Sequence, residues 1–155
     1  MVQKWEANVS ARLEKANADQ IWPLLKDFFG HGKWFPALPT CHGIHGTNGE
    51  LGCIRYCAGF GPKRDNWCKE KLVALDSAQM TFSYEIVESN IAVTSYVSTL
   101  KVVPNGEGGG CAVEWYIGLD PKEELNLEGM EGKYELGLQL MANKMEAAVI
   151  SQQSC

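Results

Sequence analysis

Glu70 lies between two lysines in Asn66-Trp67-Cys68-Lys69-Glu70-Lys71-Leu72-Val73, a stretch with the composition of a β-strand. Alternate residues of a strand share a face. Lys69 and Lys71 therefore take the solvent side, while Cys68, Glu70 and Leu72 take the apolar side. An isolated buried carboxylate is very costly, so Glu70 needs a partner, hydrogen bonds or a proton. A carboxyl group held in that way is a candidate for proton transfer.

The same bookkeeping brings other polar groups to that side. In 79–89, Met80, Phe82, Tyr84 and Ile86 form the apolar face opposite Thr81, Ser83 and Glu85. Glu88 shares their parity but falls near the strand end, where solvent is expected. In 94–104, Tyr96, Ser98, Leu100 and Val102 oppose Lys101, so Tyr96 points inward. In 111–120, Val113, Trp115, Ile117 and Leu119 oppose Glu114, so Trp115 points inward as well. The strand 52–59 sets Cys53, Arg55 and Cys57 against Ile54, Tyr56 and Ala58, and alternation does not decide between them.

With Arg55 inward, Arg55, Glu70, Tyr84 and Tyr96 converge. Arginine stays protonated and offers a forked donor set to an oxyanion. Its charge favours the ionised form of a neighbouring carboxyl group and burial opposes it, a balance suited to moving a proton. Tyr96 would donate to the substrate or to the carboxylate. Phe82, Tyr84 and Trp115 would form walls, with the thiols of Cys57 and Cys68 beside them. The plainer reading is also physical: a buried Arg–Glu pair is sometimes architecture alone, and buried aromatic residues are commonly core.

The elements that must position these residues follow from periodicity and punctuation. Lys4 to Leu13 alternates, with Trp5, Ala7, Val9, Ala11 and Leu13 on one face. Asn17-Ala18-Asp19-Gln20 caps a helix carrying Ile21, Trp22, Leu24, Leu25 and Phe28, which Gly30 and Gly32 are expected to stop. A short helical turn at 33–35, ended by Pro36 and Pro39, should follow. Strands are expected at 41–47, 52–59, 65–75, 79–89, 94–104 and 111–120, joined by short turns into an antiparallel meander.

The segment 123–150 carries Leu127, Met130, Tyr134, Leu138, Met141, Met145 and Val149 at helical spacing. Gly129, Gly132 and Gly137 weaken its first half. It is the one element long enough to cover a curved sheet. The expected class is α+β: a helix-grip fold of seven antiparallel strands around a long C-terminal helix, enclosing a cavity, in a single domain over 1–155.

Composition narrows the classes. The 155 residues are 45% apolar and 21% charged, ordinary for a globular domain. A net charge of −5 argues against a nucleic-acid partner. No apolar run reaches the length of a membrane span. The opening Met1-Val2-Gln3-Lys4-Trp5-Glu6 lacks a signal-peptide core, so a cytoplasmic location with reduced thiols is expected. The six cysteines contain no CxxC pair and make no recognisable set with His31, His42 and His45, so no metal site is expected. Gly46-Thr47-Asn48-Gly49-Glu50-Leu51-Gly52 lacks the Gly-Lys-Ser/Thr of a phosphate loop and reads as a hairpin turn.

Three stretches carry a family resemblance: Trp22-Pro23-Leu24-Leu25-Lys26-Asp27-Phe28, Gly52-Cys53-Ile54-Arg55-Tyr56 and Trp67-Cys68-Lys69-Glu70-Lys71-Leu72-Val73-Ala74-Leu75-Asp76. Over about Lys4 to Ala148 the chain resembles the plant lachrymatory-factor synthases, within the START/Bet v 1-like superfamily of polyketide-cyclase-type proteins. The resemblance implies that Arg55 points inward and that Arg55, Glu70 and Tyr96 are catalytic. It implies a cofactor-free isomerase that rearranges 1-propenylsulfenic acid to a thial S-oxide, with Glu70 shuttling the proton and Arg55 and Tyr96 holding the oxygen.

The chain departs from that family at the basic turn 61–65, at Leu140-Met141-Ala142, where an aromatic residue is usual, and across Ser89 to Ser95. Those positions lie at the expected cavity rim, so the substrate can differ. The rival expectation is a non-catalytic carrier of a small hydrophobic or amphipathic plant metabolite, with Arg55 and Glu70 as its anchor.

Overall fold

Burial alternates along β1 (Trp5–Leu13): Ala7, Val9, Ala11 and Leu13 are buried, while Glu6, Asn8, Ser10 and Arg12 are exposed. A computed structural model describes residues 4–106, 109–122 and 127–153. Six further strands follow: β2 (Thr40–His45), β3 (Ile54–Phe60), β4 (Asn66–Asp76), β5 (Thr81–Ser89), β6 (Val93–Pro104) and β7 (Cys111–Pro121). They form one antiparallel sheet in the order β1-β7-β6-β5-β4-β3-β2. With α1 (Ala18–Leu25) and the long α2 (Met130–Gln153), the chain forms the expected helix-grip fold.

α2 buries Leu138, Met141, Ala142, Met145 and Val149 against the sheet, a stripe at three- and four-residue spacing. It begins at Met130, later than expected. Gly129 precedes it at φ +78°, a backbone angle that glycine adopts without steric cost. Residues 123–126 of the expected helix lie outside the described residues. α2 packs mainly on β1, with a smaller contact to β7, so it covers one flank of the sheet.

The other flank is covered by a segment that the helical pattern places differently. Asn17 and Gln20 cap α1 reciprocally, each side chain bonded to the other's amide at 2.9 Å. α1 then ends at Leu25, with Lys26 N–H bonded to Trp22 O at 2.9 Å. Pro23 lies inside the helix and supplies no amide. Phe28 therefore does not extend α1. It opens a 3-10 segment, Phe28–Lys33, that contains both Gly30 and Gly32 and ends at Lys33, where the helical turn at 33–35 is expected to begin.

Asn48, in the turn between β2 and β3, pins this segment. It donates to Asp27 Oδ1 at 2.6 Å and accepts from Phe29 N–H at 3.1 Å. The Phe29 ring lies on Gly43 of β2, where a Cβ would collide with it.

Two bulges re-aim side chains. Lys69 pairs with Glu88 but Glu70 pairs with Ile86, so Val87 is an extra residue on β5. Glu88 is thereby exposed although Ile86, two residues before it, is half-buried. On β6 the register shifts between Thr94 and Val97, and Ser95 takes φ +54°. Tyr96 is buried next to the exposed Thr94 and Ser95. Met80, expected in β5, sits instead in the preceding turn at φ +53°.

Candidate functional site

Register builds the first half of the site. Arg55 on β3 lies opposite Glu70 on β4, and both face inward. Arg55 donates from Nε to Glu70 Oε1 at 2.9 Å, and its Nη2 is 2.8 Å from the same oxygen. Nη1 donates to Phe28 O at 2.7 Å and to His31 Nδ1 at 2.7 Å. The guanidinium lies over the Phe28 ring at 4.0 Å and the Tyr84 ring at 4.7 Å, both favourable positions for a cation. Burial opposes the Arg55 charge, but Glu70, then Cys57 and Tyr84, outweigh it and hold its pKa above the ordinary value.

His31 is the residue that the sequence pattern did not reveal. It is fully buried, with Nε2 2.6 Å from Leu25 O and Nδ1 against Arg55. A carbonyl only accepts and a guanidinium only donates, so Nε2 carries the proton and Nδ1 accepts. Burial first, then the Arg55 charge, push its pKa down to about 3 against the pull of the Leu25 carbonyl. His31 is thus a neutral acceptor that orients Arg55.

Arginine has five N–H bonds, and four of them are taken by Glu70, Phe28 and His31. One remains on Nη2. Both bonds to Glu70 land on Oε1, and among the described residues no hydrogen bond reaches Oε2. The fully buried, unpartnered side-chain atoms among those residues are Trp22 Nε1 and Trp34 Nε1. Oε2 is not one of them, so it touches space that water can enter. The Glu70 side chain is 8% exposed, against 2% for Arg55.

The second half of the site is a hydroxyl chain on β6 and β7. Trp115 Nε1 donates to Ser98 Oγ at 3.1 Å, and Ser98 Oγ donates to Tyr96 Oη at 2.9 Å. Tyr134 reaches in from α2, its ring edge-on to Trp115 at 4.9 Å. Its hydroxyl is near enough to Tyr96 for Tyr96 to favour its ionised form. Burial nonetheless pushes the Tyr134 pKa up to about 12 and holds those of Tyr96 and Tyr84 above their ordinary range. All three phenols stay protonated donors at neutral pH.

Tyr96 does not join the Arg55–Glu70 pair directly. Among the described residues no hydrogen bond links them, and Tyr84 stands between. Tyr84 pairs with Leu72 of β4 on one side and Ser98 of β6 on the other. Phe82 is buried and stacks on Tyr84 at 6.2 Å. Trp115 is buried near Phe35 and Tyr134. Cys57 and Cys68 are buried beside Glu70, with Cys57 Sγ 3.6 Å from Oε1.

Tyr134 is legible in the sequence only as one residue of the apolar helix stripe. Two surface depressions, of about 380 Å³ around Thr99, Lys101 and Glu114 and about 510 Å³ between Asp27 and Glu50, do not include Glu70.

Residues 4–146 match the family described as polyketide cyclase / dehydrase and lipid transport. The chain belongs to that family. Among solved structures, the family fold is shared with the protein XoxI from Bacillus cereus, at TM-score 0.73 and 20% identity over 96% of this chain and 97% of that one. It is shared also with major latex-like protein 151 from Panax ginseng, at TM-score 0.74 and 17% identity over 94% of this chain and 97% of that one. These likenesses show a shared helix-grip fold. Among the described residues no helix is long and apolar enough to cross a membrane.

Proposed function

We propose that this family member is a cofactor-free isomerase that moves a proton on a small sulfenic-acid-like substrate. The carrying observation is the asymmetric clamp on Glu70. Oε1 is fixed by two bonds from Arg55, while Oε2 is unbonded and reachable. A base needs one oriented, accessible oxygen, and the clamp supplies it.

For 1-propenylsulfenic acid, Oε2 takes the proton of the S–OH group. A proton is then delivered to the carbon two bonds from sulfur, as the C=C bond becomes C=S. The oxygen stays on sulfur, no atom is gained or lost, and no electron acceptor is needed. Negative charge develops on the sulfenate oxygen during transfer. In this reading Tyr96, held by Ser98 and Trp115, donates to that oxygen, and its support is the hydroxyl chain of Tyr96, Ser98 and Trp115. Arg55 acts mainly through Glu70, since one N–H alone remains free for a substrate oxygen.

That near-saturation of Arg55 favours the second reading, a carrier in which the pair is architecture and the phenols anchor a bound metabolite. One assay separates the two. A C–S lyase releases 1-propenylsulfenic acid from its sulfoxide precursor in the presence of this protein. The isomerase reading expects thial S-oxide to rise with added protein. An identical product distribution with and without the protein overturns it and leaves the carrier.

A further inference from the structure

We propose that Cys41 and Cys57 are a modification site, at which a small-molecule disulfide of the glutathione class oxidises the two thiols to a cross-strand disulfide. Cys41 of β2 lies directly opposite Cys57 of β3 in an antiparallel pair, so the two side chains share a face. Residues opposed in this way hold their Cα atoms about 4.5–5.5 Å apart, inside the span of about 4.4–6.8 Å that a disulfide bridges. Cys57 Sγ is already 3.6 Å from Cys41 Sγ, so closing the bond takes about 1.5 Å of approach.

The edge of the sheet can supply that approach. β2 is bonded to a neighbouring strand on one side only, and its register shifts between Gly43 and His45. Cys68 also lies opposite Cys57, but β3 and β4 are interior strands, each held on both sides. Access favours the same pair. Cys41 is half-buried, whereas Cys53, Cys57, Cys68 and Cys111 are buried, so Cys41 is the thiol that meets a reagent from solvent.

The chemistry runs in two exchanges. The Cys41 thiolate attacks one sulfur of the reagent, forms a mixed disulfide and releases one thiolate. The Cys57 thiolate then attacks the Cys41 sulfur, closes the Cys41–Cys57 bond and releases the second thiolate. The protein loses two electrons and the reagent gains two, while the two thiol protons end on the two released thiols. The hydrogen bond with Cys57, then burial, hold the Cys41 thiol above its ordinary range, against the Arg55 charge and the Gly32 amide. Since the thiolate is the attacking species, oxidation is slow at neutral pH and quickens as pH rises.

Closure would be felt at Glu70. Cys57 Sγ is 3.6 Å from Glu70 Oε1, and a disulfide sulfur has no proton to donate there. Gly32 packs on Cys41, where an added Cβ would stand 3.1 Å from the Cys41 Cβ. Gly32 belongs to the 3-10 segment that carries His31, so drawing Cys41 toward β3 moves the seat of the residue that orients Arg55. The modification site itself does not rest on the isomerase reading.

The test is incubation of the folded, reduced full chain with oxidised glutathione, an acid quench, and then intact mass and peptide mapping. A Cys155→Ser background removes the C-terminal thiol from the count. The expected product has lost two hydrogens, maps to a Cys41–Cys57 crosslink and returns to the reduced mass with dithiothreitol. Its rate of formation should rise about tenfold from pH 7 to pH 8, as the thiolate fraction does. Cys41→Ser should abolish the two-hydrogen loss, and Cys53→Ser should leave it at full extent. Absence of the crosslink, a mixed disulfide that stops at Cys41, a crosslink between Cys57 and Cys68, or a two-hydrogen loss that persists in Cys41→Ser overturns the proposal.

Discussion

Lys69 and Glu70 are neighbours on β4, and each holds an ion pair at 2.8 Å. Lys69 faces outward to Glu88, with the two side chains 36% and 51% exposed. Glu70 faces inward to Arg55, with the two side chains 8% and 2% exposed. Equal distance conceals unequal physics. The outer pair exchanges water for a partner at little gain, and salt screens it. The inner pair has given up nearly all of its water, so every remaining donor and acceptor must be met by protein. Arg55 meets that demand through Phe28 and His31, whereas Glu70 meets it on one oxygen alone. The inner pair is therefore costly to break, and its unmet oxygen is the group available for chemistry.

The contrast is broken most severely by Arg55→Ala. It strands Glu70, the His31 acceptor and the Phe28 carbonyl in the interior, at a cost of about 3–5 kcal/mol. Urea unfolding would measure it, and a loss below about 1 kcal/mol would mean that the inner pair behaves like a surface pair.

The next largest effect is on pH. His31 titrates at about 3 when folded, against 6.5 in the ordinary state. The unfolded chain binds the proton first, so stability is fully present above pH 6.5 and is lost as pH falls toward 3. From pH 6.5 to 4 the expected loss from this group is about 3 kcal/mol. His31→Gln keeps an acceptor for Arg55 but cannot titrate. It should lower stability at neutral pH and flatten the acid limb in calorimetry. An unchanged limb would show that His31 is not the group responsible.

Tyr96→Phe removes one acceptor from the Ser98–Trp115 chain and should cost about 1 kcal/mol. If Tyr96 holds the substrate oxygen, thial S-oxide formation should fall by about tenfold or more. Lys69→Ala, on the outer face, is the smallest change. Its effect on thermal unfolding should be below about 1 kcal/mol and should vanish in high salt.

Much of this was legible before the fold. Two lysines flanking Glu70 declare its face because strand side chains alternate and Lys69 and Lys71 are half-buried at most on the solvent side. The inward turn of Tyr84, Tyr96 and Trp115 follows the same rule. Alternation fails where the backbone adds a residue, as at Val87, which sends Glu88 outward against its parity. It is also silent about contacts made by irregular segments. His31 sits between two glycines in a 3-10 turn, and no period marks it. Cys41, Cys57 and Cys68 fall opposite one another only through the register of β2, β3 and β4, which spacing along the chain does not encode.

The claim at the centre is that Glu70 Oε2 moves the proton. It is tested most directly by the initial rate of thial S-oxide formation for wild type and Glu70→Gln, supplied with 1-propenylsulfenic acid released in place. Glutamine keeps the shape and the Oε1 acceptor for Arg55 but is not a base. The expected result is a fall of about 10²–10⁴-fold, measured at a temperature where both proteins are folded by circular dichroism. Equal rates in the two proteins would contradict it.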